Sequence, residues 1–268
     1  MSPATLLLHD VPVGESYDLE KEQGIRIRVT NNSDMGFTYL LKPERPSESG
    51  TEATGYFDFP EPDWCWFDQD TLEVEAGEEK TVRFFFRIPD SVAYYNRHWL
   101  IAIAVTPLST TSGEQSSIAL GAYLLYRIET ESKSGIKPFR LENELITLPS
   151  MVSFDNVVAG EEYETTVRLL ADGRDKVSVY RLDEKSDVAM LTILTTPGFK
   201  RMPARGWLRY DSSVRLNKQG IGDLTLRLVV PETEPLDRQY EELLLLERQS
   251  NGEKSFIRVR ITPKKGGK

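Results

Sequence analysis

The chain has a single cysteine, Cys65, in 268 residues. No internal disulfide can form, so the core alone must hold the fold, and cysteine usage is silent on redox compartment. Histidine is almost as scarce: His9 and His98 are the only two, and they lie in separate segments. A Ser/His/Asp or Cys/His catalytic site would have to be built on one of them. Cys65 sits among aromatics and carboxylates, which disfavours a thiolate. No phosphate-cradling glycine loop, no Cys/His metal spacing and no glycine-flanked serine elbow is present. The expectation is a protein that is not an enzyme; carboxylate pairs leave no spacing signature, so a carboxylate-only hydrolase is the catalytic class left open.

Long apolar runs are also missing. Without a stretch of about 18 apolar residues, no transmembrane helix and no direct membrane insertion are expected. The chain shows no signal peptide; Met1 is expected to stand where one was removed, which would place the protein outside the cytoplasm, in the periplasm or on the cell surface. Residues 264–268, Lys-Lys-Gly-Gly-Lys, read as a flexible end.

Charge is present but unevenly spread. Residues 1–130 carry 10 Lys/Arg and 21 Asp/Glu, a balance of −11, and residues 131–268 carry 23 and 21, a balance of +2, giving the total of −9. An acidic first half argues against nucleic-acid binding. It leaves cation binding, a basic partner or simple solubility.

What the chain has in plenty is alternation. Ile25, Ile27 and Val29 alternate with Arg26 and Arg28, and most of the 15 prolines and 18 glycines fall between such runs. Period-two patterning turns one strand face inward and one outward. No amphipathic helix of ten residues is evident.

The pattern also occurs twice. Leu72 and Val74 lead through a turn at Gly77 to Val82, Phe84, Phe86, Ile88 and Pro89; Val214 and Leu216 lead through Gly220 to Leu224, Leu226, Leu228, Val230 and Pro231. Val11, Gly14, Glu15 and Tyr17 open the first half as Val157, Gly160, Glu161 and Tyr163 open the second. Trp66 and Trp207 precede the two central runs and are expected to be paired core residues. Strong strands follow at 99–105 and 242–247, then last strands at 118–128 and 256–261. The predicted fold is all-β: two tandem immunoglobulin-like antiparallel β-sandwiches, at 4–130 and 138–268, joined by a linker at 131–137. A single large barrel or jelly roll is the alternative.

The Val-x-x-Gly-Glu-x-Tyr opening, followed by a strand and Asn31-Asn32-Ser33, resembles the start of bacterial Ig-like domains. The run from Leu72 to Pro89 is similar to their middle hairpin. That resemblance implies an extracytoplasmic envelope or surface protein, in a family that includes adhesin stalks and pilus chaperones. It is informative about fold and poor about function. The cysteine pair of antibody-type domains is absent, and no clear counterpart of a chaperone's basic cleft is seen.

Three features are candidates for function. Residues 55–70 hold six aromatics and five carboxylates. Tyr56, Phe57, Phe59 and Trp64 have no counterparts in the second half, so they are candidates for an exposed patch that stacks on a sugar or a protein partner; the alternative is a loop packed on its own sandwich. Asp58, Glu61, Asp63, Asp68 and Asp70 could supply oxygens to Ca²⁺, although they match no calcium-loop pattern; no other cofactor is expected. Lys200, Arg201 and Arg205 form the one concentrated basic feature, able to meet an acidic surface such as the first domain of a neighbouring copy. Tyr94 and Tyr240, before the strands that start near residues 99 and 242, read as structural corner tyrosines. The function expected is a spacer and protein-binding module, with a place in an assembly as one form of it; a carbohydrate-binding protein and a periplasmic chaperone are the alternatives.

Overall fold

A computed structural model describes residues 1–108, 121–136, 144–203 and 206–264. The chain divides into two compact units, Met1–Tyr94 with His98–Glu131, and Tyr95–Arg97 with Ser132–Lys268. Each is an immunoglobulin-like β-sandwich. Among the described residues no helix is long and apolar enough to cross a membrane.

The first unit contains β1 (Thr5–Val11), β2 (Ser16–Asp18), β3 (Ile27–Thr30), β4 (Phe37–Glu44), β5 (Phe57–Asp58), β6 (Cys65–Phe67), β7 (Thr71–Val74), β8 (Glu79–Val82), β9 (Phe84–Arg87), β10 (His98–Leu108) and β11 (Ala122–Thr130). One layer runs β1-β11-β10-β4-β7, with β5 also on β10; the other comprises β2-β9-β6 and β3-β8. Helix α1 (Leu19–Gln23) lies between β2 and β3. Asp18 caps it by accepting from the backbone of Glu20 and Lys21, Gly24 ends it at φ 68°, and Leu19 buries its one apolar face. A second short helix, α2 (Pro46–Ser49), follows β4 and packs against β10.

The second unit contains β12 (Ile146–Leu148), β13 (Met151–Val157), β14 (Glu162–Leu170), β15 (Lys176–Arg181), α3 (Val188–Leu194), β16 (Lys200–Arg201), β17 (Leu208–Tyr210), β18 (Ser213–Arg215), β19 (Ile221–Val229), β20 (Tyr240–Arg248) and β21 (Lys254–Pro263). Its layers run β13-β21-β20-β15-β18, with β16 on β20, and β12-β14-β19-β17.

The repeat extends to backbone detail. β1 runs parallel to β11 with a register break before Val11, and β13 runs parallel to β21 with the same break before Val157. Asp10 and Asn156 take the left-handed conformation at those breaks, φ 51° and 56°. Tyr17 pairs with Phe86 and Tyr163 with Leu228, so the two Val-x-x-Gly-Glu-x-Tyr openings enter the same place in each sandwich.

The expected middle hairpin is not one. β7 pairs with β4 and β8 with β3, so the turn at Gly77 carries the chain from one sheet to the other. β18 and β19 repeat this, pairing with β15 and β14. Alternation reports which side chains point inward, and that is common to both sheets; it does not report the partner strand. The last strand of the first unit is Ala122–Thr130, and the earlier part of the predicted one lies outside the described residues. β10 is buried from His98 through Val105, and β20 along nearly its whole length. Their near-continuous apolar runs are those of strands covered on both faces.

Candidate binding surface

The strand registers show which residues correspond between the units. Trp99 lies opposite Ile128 and Tyr240 opposite Ile261. β5 meets β10 at Phe57 and Trp99, and β16 meets β20 at Lys200 and Tyr240. Phe57 is therefore the counterpart of Lys200, and Tyr56 of Phe199. The aromatic loop and the basic loop of the sequence are one structural segment seen twice. A guanidinium lies over both aromatic rings, Arg127 at 5.6 Å from Tyr56 and Arg260 at 4.8 Å from Phe199.

The aromatic loop is not an exposed platform. Tyr56 and Phe59 are buried and Phe57 and Trp64 half-buried. Phe59 meets Trp64, Phe86 and Trp99 edge-on at 5.8, 6.3 and 5.7 Å, and Trp64 meets Tyr94 at 5.2 Å. Apolar rings beside a sandwich core gain more from burial than from exposure to a ligand.

The carboxylates are likewise dispersed into local roles. Asp58 accepts from the backbone and hydroxyl of Ser47, Asp68 from the backbone of Arg83 and Gln69, and Asp70 from Thr71. Asp63 is exposed in the turn before β6. Among the described residues no group of three His, Cys, Asp or Glu could hold a metal ion, so the calcium expectation has no site there.

Of the basic loop, Lys200 is exposed, while Arg201 is turned inward onto Glu242 at 3.3 Å and the carbonyl of Leu182. Glu242 is buried and also takes Arg181. Burial pushes the Glu242 carboxyl up, against the pull of Arg181 and Arg201. Arg201 is thus a structural counter-ion rather than a free surface charge. Arg205 lies outside the described residues.

Trp66 reverses the sequence expectation. It is 42% exposed, whereas Trp207 is 1% exposed. Cys65 pairs with Phe86 and Leu208 with Leu228, which makes Trp64, not Trp66, the counterpart of Trp207. Trp207 packs edge-on against the corner tyrosine Tyr240 at 4.8 Å, and Tyr240 donates to the Pro235 carbonyl at 2.9 Å.

Trp66 points outward from edge strand β6 and lies directly across from Phe85. Their rings are 5.7 Å apart and inclined by 9°. Arg83, two residues before Phe85 on the same sheet face, lies 4.9 Å from the centre of its ring. Arg83 is held in turn by Asp18 and, at 3.0 Å, by Glu20. Hydrogen bonds from Lys21 and Arg83 keep the Asp18 carboxyl low despite some burial. An exposed indole is thus stacked on a phenyl ring over which an ion-paired guanidinium lies. The same positions in the second unit are Arg209 and Arg227. The sandwich does not need aromatics here, since its own repeat folds without them.

Sequence inspection missed this pair, although alternation held the signal. With Phe84 and Phe86 buried, Phe85 must point outward; with Cys65 buried, so must Trp66.

The two histidines, distant in sequence, meet around Glu129. His9 Nδ1 lies 3.0 Å from one carboxylate oxygen, the Tyr56 hydroxyl donates to the other at 2.9 Å, and His98 is the cross-strand neighbour of Glu129. Glu129 joins the edge strand β1 to the segment before β5. Glu129→Ala is expected to cost about 2–3 kcal/mol, because the buried Tyr56 hydroxyl loses a charged acceptor. Urea unfolding checks this; a midpoint within error of the parent would show that the cluster is not structural.

No family model matches this chain, and no curated protein matches it. Solved structures resemble it only distantly. A protein of unknown function from Porphyromonas gingivalis W83 shares 9% identity over 97% of both chains, with a TM-score of 0.35. The E. coli chaperone DraB shares 8% over 96% of this chain and 94% of its own, at 0.33. A chain named as a carbohydrate-binding protein from Bacteroides ovatus ATCC 8483 shares 8% over 42% of this chain, at 0.33; the match spans 35% of that protein's length. Likeness at this level bears on neither partner nor activity.

Proposed function

We propose that this protein is a non-catalytic binding module of the bacterial cell envelope, which holds a protein partner against the outer face of the β2-β9-β6 sheet. One observation carries the reading: Trp66 and Phe85 form a solvent-facing stack at the positions where the other repeat places Arg209 and Arg227. Exposed, rigidly supported tryptophan is the side chain that contributes most at protein interfaces. The extracytoplasmic placement follows the sequence resemblance to bacterial Ig-like domains. The non-catalytic reading is supported by the state of the lone thiol: Cys65 is buried, and burial pushes it well up, away from the reactive thiolate.

The test is capture from an envelope extract by the immobilised protein, with Trp66→Ala and Phe85→Ala as variants. Val92→Ala, at another exposed apolar position, is the control. Loss of a specific protein with the first two variants and retention with the third is the expected result. Equal capture by all would sink the proposal. Trp66-dependent retardation in polysaccharide-containing gels, with no protein captured, would reassign the same stack to a carbohydrate ligand.

A further inference from the structure

The equivalent face of the second unit is not a copy of the first but a complement to it. On the outer side of the β12-β14-β19-β17 sheet lies a hollow of about 320 Å³, floored by Arg209, Tyr210, Thr225 and Arg227, with Glu162 and Asp211 also lining it. Arg227 is paired with Glu164 at 2.6 Å. Arg209 is exposed and has no ion-pair partner among the described residues. The first unit offers a projecting indole in an acidic domain. The second offers a hollow lined by two guanidinium groups and two carboxylates, in a domain of slightly positive balance, −11 against +2 for residues 1–130 and 131–268.

We infer that the partner of the Trp66 stack is a second copy of this chain, whose Arg209 and Arg227 hollow receives the indole. The inference rests on the binding role proposed for that stack and names its occupant. Tryptophan is the ring that guanidinium groups favour most, and the attraction strengthens as water is excluded. The opposite charge balance of the two halves steers a first unit toward a second unit rather than toward another first unit. The two surfaces differ, so the contact is heterologous: each copy retains one free stack and one free hollow, and association proceeds head to tail.

Light scattering coupled to size exclusion, run across protein concentration at low and high salt, tests this on the full chain. The parent is expected to form concentration-dependent oligomers that weaken as salt rises. Trp66→Ala and Arg209→Glu are each expected to weaken association about ten- to a hundredfold. Both positions are exposed on outer sheet faces, so both variants are expected to fold, and a single cooperative unfolding transition, set back from the parent's by no more than the loss of one cross-strand pair, verifies it. The decisive sample is the mixture. Trp66→Ala keeps its hollow and Arg209→Glu keeps its stack, so together they should form a one-to-one dimer that grows no further. A parent that stays monomeric at the highest concentration and lowest salt overturns the inference, as does oligomerisation indifferent to both substitutions. Either result leaves the binding role itself standing wherever envelope capture still depends on Trp66. Loss of Trp66 dependence in both experiments removes the two together.

Discussion

Arg258→Ala is expected to destabilise the second unit by about 2–4 kcal/mol, the cost of leaving a buried carboxylate with one of its two guanidinium partners and a cavity beside it. Arg258 is 0% exposed and donates to Glu241 at 2.7 Å, to the Leu194 carbonyl at 2.9 Å and to the Thr196 hydroxyl at 3.3 Å. Glu241 is also buried, and both of its oxygens are fully engaged. One takes Arg258 and the Thr196 backbone, the other the Thr196 hydroxyl and Arg260 at 2.8 and 2.9 Å. The network anchors the stretch after α3 onto the outer face of β20 and β21. At the corresponding places the first unit has Leu100 and Leu125, because Leu100 pairs with Arg127 as Glu241 pairs with Arg260. The protein thus contains its own apolar alternative. The triple variant Glu241→Leu/Arg258→Leu/Arg260→Leu should be markedly more stable than Arg258→Ala, since removing all three charges leaves no buried charge short of a counter-ion. Trp207 is the only tryptophan of the second unit, so its fluorescence follows this transition once Trp64, Trp66 and Trp99 are replaced by phenylalanine. A loss below about 1 kcal/mol in Arg258→Ala would show that the network contributes little.

The second large effect concerns tryptophans that look alike in sequence and differ in the fold. Trp99→Ala is expected to cost about 3–5 kcal/mol. Trp66→Ala is expected to cost about 1 kcal/mol or less, the loss of one cross-strand aromatic pair. Trp99 is 0% exposed and is gripped edge-on by Phe59 and Tyr94, each at 5.7 Å. Removing it opens a cavity that the fixed sheets on either side cannot close. Trp66 leaves only a gap on the surface. Chemical denaturation of the two variants side by side decides the matter. Comparable losses in both would mean that Trp66 belongs to the core and that its use as a binding group is unsupported.

These results also mark how far the sequence could be read. Alternation at Ile27 and Val29, and at Leu224, Leu226 and Leu228, determines which side chains enter the core, and the structure buries all five. The duplicated Val-x-x-Gly-Glu-x-Tyr openings determine that the two halves fold alike, down to the left-handed residues at Asp10 and Asn156. Those signals are local, because a strand's faces are set by its own period. Partner strands and registers are not local. The turn at Gly77 reads as a hairpin and is a crossing between sheets; Trp66 reads as the twin of Trp207 and is two residues out of register with it. Trp207 stands just before β17 whereas Trp66 stands within β6 on its outward face, and only the hydrogen-bonded ladder tells the two positions apart. The chemistry that appears only on folding followed the same rule. His9, Tyr56, His98 and Glu129 are scattered along the chain, and so are Glu241, Arg258 and Thr196. The sequence by itself determined a duplicated all-β protein with an acidic first half. The tertiary structure decided which aromatic faces water and which charges are buried, because those depend on strand pairing across residues far apart in the chain.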